Sequence, residues 1–157
     1  MTHTPAAAAA ENRFVPLDPN FRERVETFSV TMPIFRHFGL RVLRVEPGLC
    51  DLEFPYRQDF GTHAGTFMAG AIGTVGDIAA GIAGATLLAP GASMSTIDFT
   101  VKLVAPAAGD RLVAEGRTVR AGRSVTVNAA QIYACKGDRR NLCATLLMTA
   151  SNRPAPA

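Results

Sequence analysis

Asp77 is the only charged residue in the stretch Phe67 to Leu88, FMAGAIGTVGDIAAGIAGATLL. A carboxylate alone among glycines and aliphatics either holds a raised pKa or gathers a dense set of hydrogen bonds. Both conditions suit a general base or a nucleophile. The plainer alternative is a structural carboxylate that ties a loop to its helix. Further candidates lie on either side of it. Thr62 and His63 precede the stretch, where they can position a water or a carbonyl group; His63 reads equally well as a solvated loop histidine. Thr96 follows it in a strand pattern, where a Thr on the outward side is an equally good reading. Arg120 and Arg123 flank a turn and can bind phosphate groups. Arginines in a solvated turn are the commoner case. No GxGxxG, P-loop or HExxH pattern is present.

These groups need a scaffold, and the stretch itself is its centre. At about 100° per residue, Met68, Ile72, Val75, Ile78 and Ile82 gather in one sector. Gly70, Gly73, Gly76, Gly81 and Gly84 gather in the opposite sector, with Asp77 among them. Both faces are apolar, so the spacing predicts a helix buried all round. The glycines weaken it by about 0.5–1 kcal/mol each relative to Ala. Close approach of another backbone would offset that cost. A membrane span is the competing reading of an apolar run of this length. The central Asp and the lack of flanking Lys or Arg count against it. The free N–H groups of the first helical turn, about Met68, Ala69 and Gly70, form a ready anion site.

A chain of 157 residues, 48% hydrophobic and 18% charged, suits one globular domain. The net charge of +3 comes without a dense basic run or interleaved aromatics, so nucleic acid is not an expected partner. Three cysteines with no CxxC spacing predict neither a zinc site nor a disulfide scaffold. Cys135 and Cys143 are symmetric about Arg139, which predicts a pair of reduced thiols facing each other across the last hairpin. No cofactor or metal is expected. The N-terminus has no basic region ahead of a long apolar one, and a cytoplasmic protein is the expectation.

Residues 1–17 read as a disordered tail, 18–151 as a single domain, and 152–157 as a Pro-rich tail. Asp18-Pro19 predicts a helix start with Asp18 as N-cap, and Phe21, Val25 and Phe28 continue it to about Thr31. Pro33 breaks that helix, and Ile34 to Phe38 forms a further turn. Leu40 to Val45 and Leu49 to Phe54 predict a hairpin around Pro47-Gly48. Pro55 to Gly65 is a polar loop leading into the central helix. Ser95 to Val104 alternates Ile97, Phe99, Val101 and Leu103 against Thr96, Asp98, Thr100 and Lys102, the period of a half-buried strand. Strands at Arg111 to Val119, Ser124 to Cys135 and Asn141 to Thr149 follow through short turns. One antiparallel meander laid on the long helix is the expected architecture, an α+β fold.

A long Gly/Ala-rich helix wrapped by an antiparallel sheet, with one acid at mid-helix, resembles the hotdog fold. More closely, the chain resembles the PaaI-type acyl-CoA thioesterases over roughly residues 20 to 150. The matching text runs Thr62-His63-Ala64-Gly65-Thr66-Phe67-Met68-Ala69-Gly70, with Asp77 nine residues after Met68. Ser95 to Thr100, Val104 to Ala107 and Val119 to Arg123 resemble the family's next strand, turn and hairpin. The resemblance implies a hotdog domain with an N-terminal helix. It also implies a homodimer that can pair into a tetramer, with sites between subunits. Met68 stands where the family's His is usual, and Thr62 or His63 stands at the Asn/Gln position.

The implied activity is hydrolysis of an acyl-CoA, with a small to medium or aromatic acyl group. Asp77 would be the base or nucleophile, and Ala69 and Gly70 would supply oxyanion N–H groups. Thr62 or His63 and Thr96 would support the water, while Met68, Gly65, Arg120 and Arg123 would bind substrate. The Met68 departure keeps open a non-catalytic module binding acyl-CoA or another hydrophobic ligand. His63 keeps open a dehydratase or isomerase on the same fold.

Overall fold

The computed structural model describes residues 14–155, so the expected tail lies outside the described residues up to residue 13. Helix α1 (Phe21–Thr31) buries Phe21 and Val25. It starts later than expected: Asn20 occupies the N-cap position without a side-chain capping bond. The Asp18 carboxylate instead accepts the Asn20 N–H at 2.9 Å and pairs with Arg24, also at 2.9 Å. Helix α2 (Pro33–Phe38) has Pro at its start and ends on Gly39 at φ 69°, a left-handed position that Gly adopts without a Cβ clash.

Strands β1 (Arg41–Glu46) and β2 (Leu49–Pro55) form the expected hairpin. A single 3-10 turn, Gln58–Phe60, leads towards helix α3 (Ala69–Ala85). Strands β3 (Ser93–Leu103), β4 (Arg111–Ala121), β5 (Val125–Lys136) and β6 (Arg139–Arg153) follow. β6 continues to Arg153, past the expected start of the C-terminal tail, because Ser93 at the head of β3 pairs with it there.

All pairings are antiparallel, and the strand order is β1-β2-β4-β5-β6-β3. The expected simple meander therefore holds only for β4-β5-β6. Helix α3 carries the chain from β2 across the sheet, so β3 joins at the far edge and β4 returns to pair with β2. Periodicity within single strands carries no information about such a crossover.

α3 packs against β2, β3, β4, β5 and β6, and its own Val75, Ala79, Ala80 and Ala83 are fully buried. Three of its glycines, Gly73, Gly76 and Gly84, meet side chains closely. A Cβ on Gly76 would come within 3.1 Å of Ile132 and Leu146, and one on Gly84 within 2.7 Å of Asn128. From the opposite side, a Cβ on Gly116 of β4 would sit 2.2 Å from the Ala79 carbonyl oxygen. The expected backbone approach is therefore made through Gly116 against Ala79, while Gly73, Gly76 and Gly84 of α3 make room for side chains of the sheet.

β3 departs from its expected pattern. Pairing with β6 slips between Thr96 and Asp98, so Ile97 is a bulged residue. Ile97 is 59% exposed, and Phe99 and Leu103 are exposed as well. Cys135 pairs with Arg140, and Cys143 falls in a second bulge between the Ala144 and Leu142 positions. The two thiols therefore do not face each other across the hairpin; both are buried and unbridged. No helix among the described residues is long and apolar enough to cross a membrane.

Candidate active site

The start of α3 is held by aromatic packing. Phe38 stacks on Phe60 at 4.3 Å, and Phe54 packs against Phe67 at 5.4 Å. Phe60 also accepts the Met68 N–H at 2.9 Å, while Phe67 donates to Ala107 at 3.0 Å. Met68 N–H is thus not free, contrary to expectation. Ile72 is the first residue to bond back, to the Met68 carbonyl at 3.1 Å. The N–H groups of Ala69, Gly70 and Ala71 are left without an intrahelical acceptor at the positive end of the helix dipole. Ala69 and Gly70 are exposed.

The loop before the helix is a closed turn. Thr62 and Thr66 hydroxyls meet at 2.8 Å, Thr62 N–H donates to the Thr66 carbonyl at 2.7 Å, and Gly65 N–H donates to the Thr62 carbonyl at 3.0 Å. Gly65 has φ 72°, so the turn requires the left-handed region. Thr62 thereby shapes the loop, and its hydroxyl is engaged within it. His63 stands exposed at its tip.

Asp77 lies eight residues beyond Ala69, about 12 Å along the helix axis. It is half-buried, and burial pushes its carboxyl above the ordinary Asp value while a hydrogen bond from Thr96 pulls the other way. Thr96 Oγ1 donates to Asp77 Oδ1 at 3.0 Å. Thr96 therefore faces the helix, not outward. The bulge at Ile97 permits this, by letting Thr96 share a face with Phe99 and Val101, whose side chains lie within 4.0 Å of where a Cβ on Gly73 would stand.

Asp77 and Thr96 sit in the wall of a cavity of about 350 Å³ between α1, α3 and β3. Val25, Phe28 and Met32 cover it from the α1 side, and Met94 and Met148 line it from the sheet. Arg24 lines its far end. The Arg24 guanidinium donates to the Ala85 carbonyl at 2.7 Å and to Leu88 and Ala89 at 3.3 Å, binding the C-terminal end of α3. Sequence reasoning missed this apolar enclosure. Its signal was the Phe21, Val25, Phe28 spacing of α1, whose apolar side needed something to cover.

Within one chain the structure brings together Asp77 and Thr96 only. Ala69, Gly70, Met68, Thr62, His63 and Gly65 cluster at the helix start. Arg120 lies within β4 opposite Val127, beyond a slip in register after Thr118. Arg123 is in the β4–β5 turn, lining a groove with Gly84 and Leu88 at the opposite end of α3. Neither arginine reaches Asp77 in the single chain.

Residues 23–137 match a family described as "Domain of unknown function (DUF4442)". Among curated proteins, none matches the sequence. Solved structures do. A thioesterase family protein from Silicibacter pomeroyi aligns with a TM-score of 0.82 and 29% identity, over 84% of this chain and 97% of that one. A thioesterase from Haemophilus influenzae aligns with a TM-score of 0.76 and 15% identity, over 93% and 96% of the two chains. A phenylacetic acid degradation-related protein from Ralstonia eutropha gives a TM-score of 0.72 and 20% identity, over 83% and 98%. The sheet order, the central helix and these alignments lead to one conclusion: the chain belongs to the DUF4442 family and has the hotdog fold that thioesterase-family proteins share.

Proposed function

We propose that this protein is an acyl-CoA thioesterase with Asp77 as its general base or nucleophile. The observation that carries the reading is a carboxylate of raised pKa, held by Thr96, in the wall of an apolar cavity. As base, Asp77 takes a proton from water as the oxygen bonds to the thioester carbonyl carbon. The tetrahedral oxyanion accepts hydrogen bonds from the N–H groups at the start of α3. Collapse breaks the carbon–sulfur bond, and the coenzyme A thiolate leaves with the proton that Asp77 took up. As nucleophile, the Asp77 carboxylate would displace the coenzyme A thiolate to form a transient anhydride, which water then opens to the free acid and the carboxylate, the thiolate leaving with the proton released. The acyl group occupies the cavity, and Arg120 and Arg123 attract the phosphates of coenzyme A.

The helix start is about 12 Å along the axis from Asp77, so one chain does not hold a complete site. In this reading a second copy supplies Ala69 and Gly70, with Thr62, His63, Gly65 and Met68 around them. The β3 edge supports such pairing: it is open, eleven residues long, and carries exposed Ile97, Phe99 and Leu103. Long apolar edges left unpaired invite association.

Met68 favours a second reading, a module that binds acyl-CoA without hydrolysing it, since a thioether side chain is at best a weak acceptor. Free-thiol release from acetyl-, hexanoyl-, lauroyl-, phenylacetyl- and benzoyl-CoA separates the two. Turnover by the native protein and its loss in Asp77→Asn support hydrolysis. Saturable binding with no thiol release supports the binding module.

A further inference from the structure

The glycines of α3 do not share one explanation. A Cβ on Gly73 would touch Phe99 at 3.4 Å, and Gly76 and Gly84 are tighter still. Those three are small because the sheet is close. Gly81 is different: a Cβ there would meet only Met148 Cε, at 3.8 Å, an ordinary contact. Ala would fit and would favour the helix, so packing does not account for this glycine.

Gly81 faces the cavity instead. Asp77, Gly81 and Ala85 stand at i, i+4 and i+8, one line along the helix, and all three line the cavity together with Leu88, which lies three residues past the end of α3. The line spans about 12 Å of helix axis from Asp77 to Ala85. Beyond Asp77 the line carries only the small residues Gly81 and Ala85, so the floor is open between the carboxylate and the end lined by Arg24 and Leu88. Ile78 and Ile82 rise beside it, and the two methionines of the sheet, Met94 and Met148, offer an adaptable apolar wall.

We propose that Gly81 sets acyl-chain length. Its missing side chain lets an unbranched medium-chain acyl tail run from Asp77 along α3 towards Leu88. This rests on the thioester reading above for the identity of the substrate. A side chain at position 81 would project into the floor roughly one helical turn from Asp77, beyond the reach of a two-carbon acyl group and across the path of a longer one.

The test measures kcat/KM for octanoyl-CoA and acetyl-CoA in the native protein, Gly81→Ala and Gly81→Leu, with thermal melting to verify folding. The octanoyl-to-acetyl ratio is expected to fall at least tenfold in Gly81→Leu and less in Gly81→Ala. An unchanged ratio in both variants overturns the proposal. Calorimetric binding of S-octyl-coenzyme A, a thioether that cannot be hydrolysed, gives a readout independent of turnover. Binding at least tenfold weaker in Gly81→Leu upholds the chain-length role even if no thioester is cleaved, in which case the hydrolysis reading alone fails. Equal binding by the native protein and Gly81→Leu overturns it.

Discussion

Thr96 donates its hydroxyl to Asp77 across the gap between β3 and α3, at 3.0 Å, because the bulge at Ile97 reverses the strand's phase. In an unbroken strand Thr96 and Phe99 would lie on opposite faces. Here both face the helix, and a polar group is delivered to the one carboxylate in an apolar wall.

Asp77→Asn is expected to lower kcat by about 10²–10⁴-fold, the range of general base catalysis. Near-unchanged thiol release from the most active acyl-CoA in that variant would remove Asp77 from the chemistry. Circular dichroism should show an unaltered fold, since the amide is nearly isosteric.

The acid limb of kcat/KM is expected above the pH at which an ordinary Asp titrates, because burial favours the neutral carboxyl. Removing the hydroxyl in Thr96→Val withdraws the bond that lowers the pKa, so the limb should move to still higher pH. A limb that stays put, or moves down, would contradict the pairing. A pH series of initial rates decides it.

The same shift has a consequence for stability. A folded-state pKa above the unfolded value means the native protein binds more protons between the two, so stability falls as pH rises through that window. Asp77→Asn removes this penalty. Its Tm should exceed that of the native protein at pH 7, and the difference should vanish well below about pH 3.9, the ordinary Asp value, where the carboxyl is neutral in both states. Scanning calorimetry at several pH values measures it.

Gly116→Ala is expected to destabilise the fold by about 1–3 kcal/mol, the cost of overpacking. The added Cβ would sit 2.2 Å from the Ala79 carbonyl oxygen, and a helix backbone does not yield as a flexible side chain does. Tm should fall about 2–4 °C for each kcal/mol in a chain of this size.

Ile97→Asp places a charge on the exposed β3 edge without touching the core, since Ile97 is 59% exposed. On the pairing proposed above, sedimentation velocity should show a smaller species for this variant than for the native protein at the same concentration. Thiol release should fall with it, because the helix start would no longer have a partner's Asp77 to serve. An unchanged sedimentation coefficient would overturn pairing through the β3 edge.

Much of this molecule was legible in its residues. The two-faced pattern of Phe67 to Leu88 specified a buried helix, and its glycines specified a close neighbour, because both follow from side-chain size at fixed angular spacing. The Pro47-Gly48 hairpin, the break at Pro33 and the isolation of Asp77 are local properties of the same kind. The tertiary structure decided what local spacing does not encode. Placing β3 beside β6 depends on where α3 delivers the chain, and the bulge at Ile97 depends on pairing between residues about fifty positions apart. The orientation of Thr96 follows from that bulge, and the cavity beside Asp77 follows from α1 lying across α3. A sequence names the groups that can do chemistry; which of them meet depends on long-range packing, where a one-residue slip in register turns a side chain to the other face.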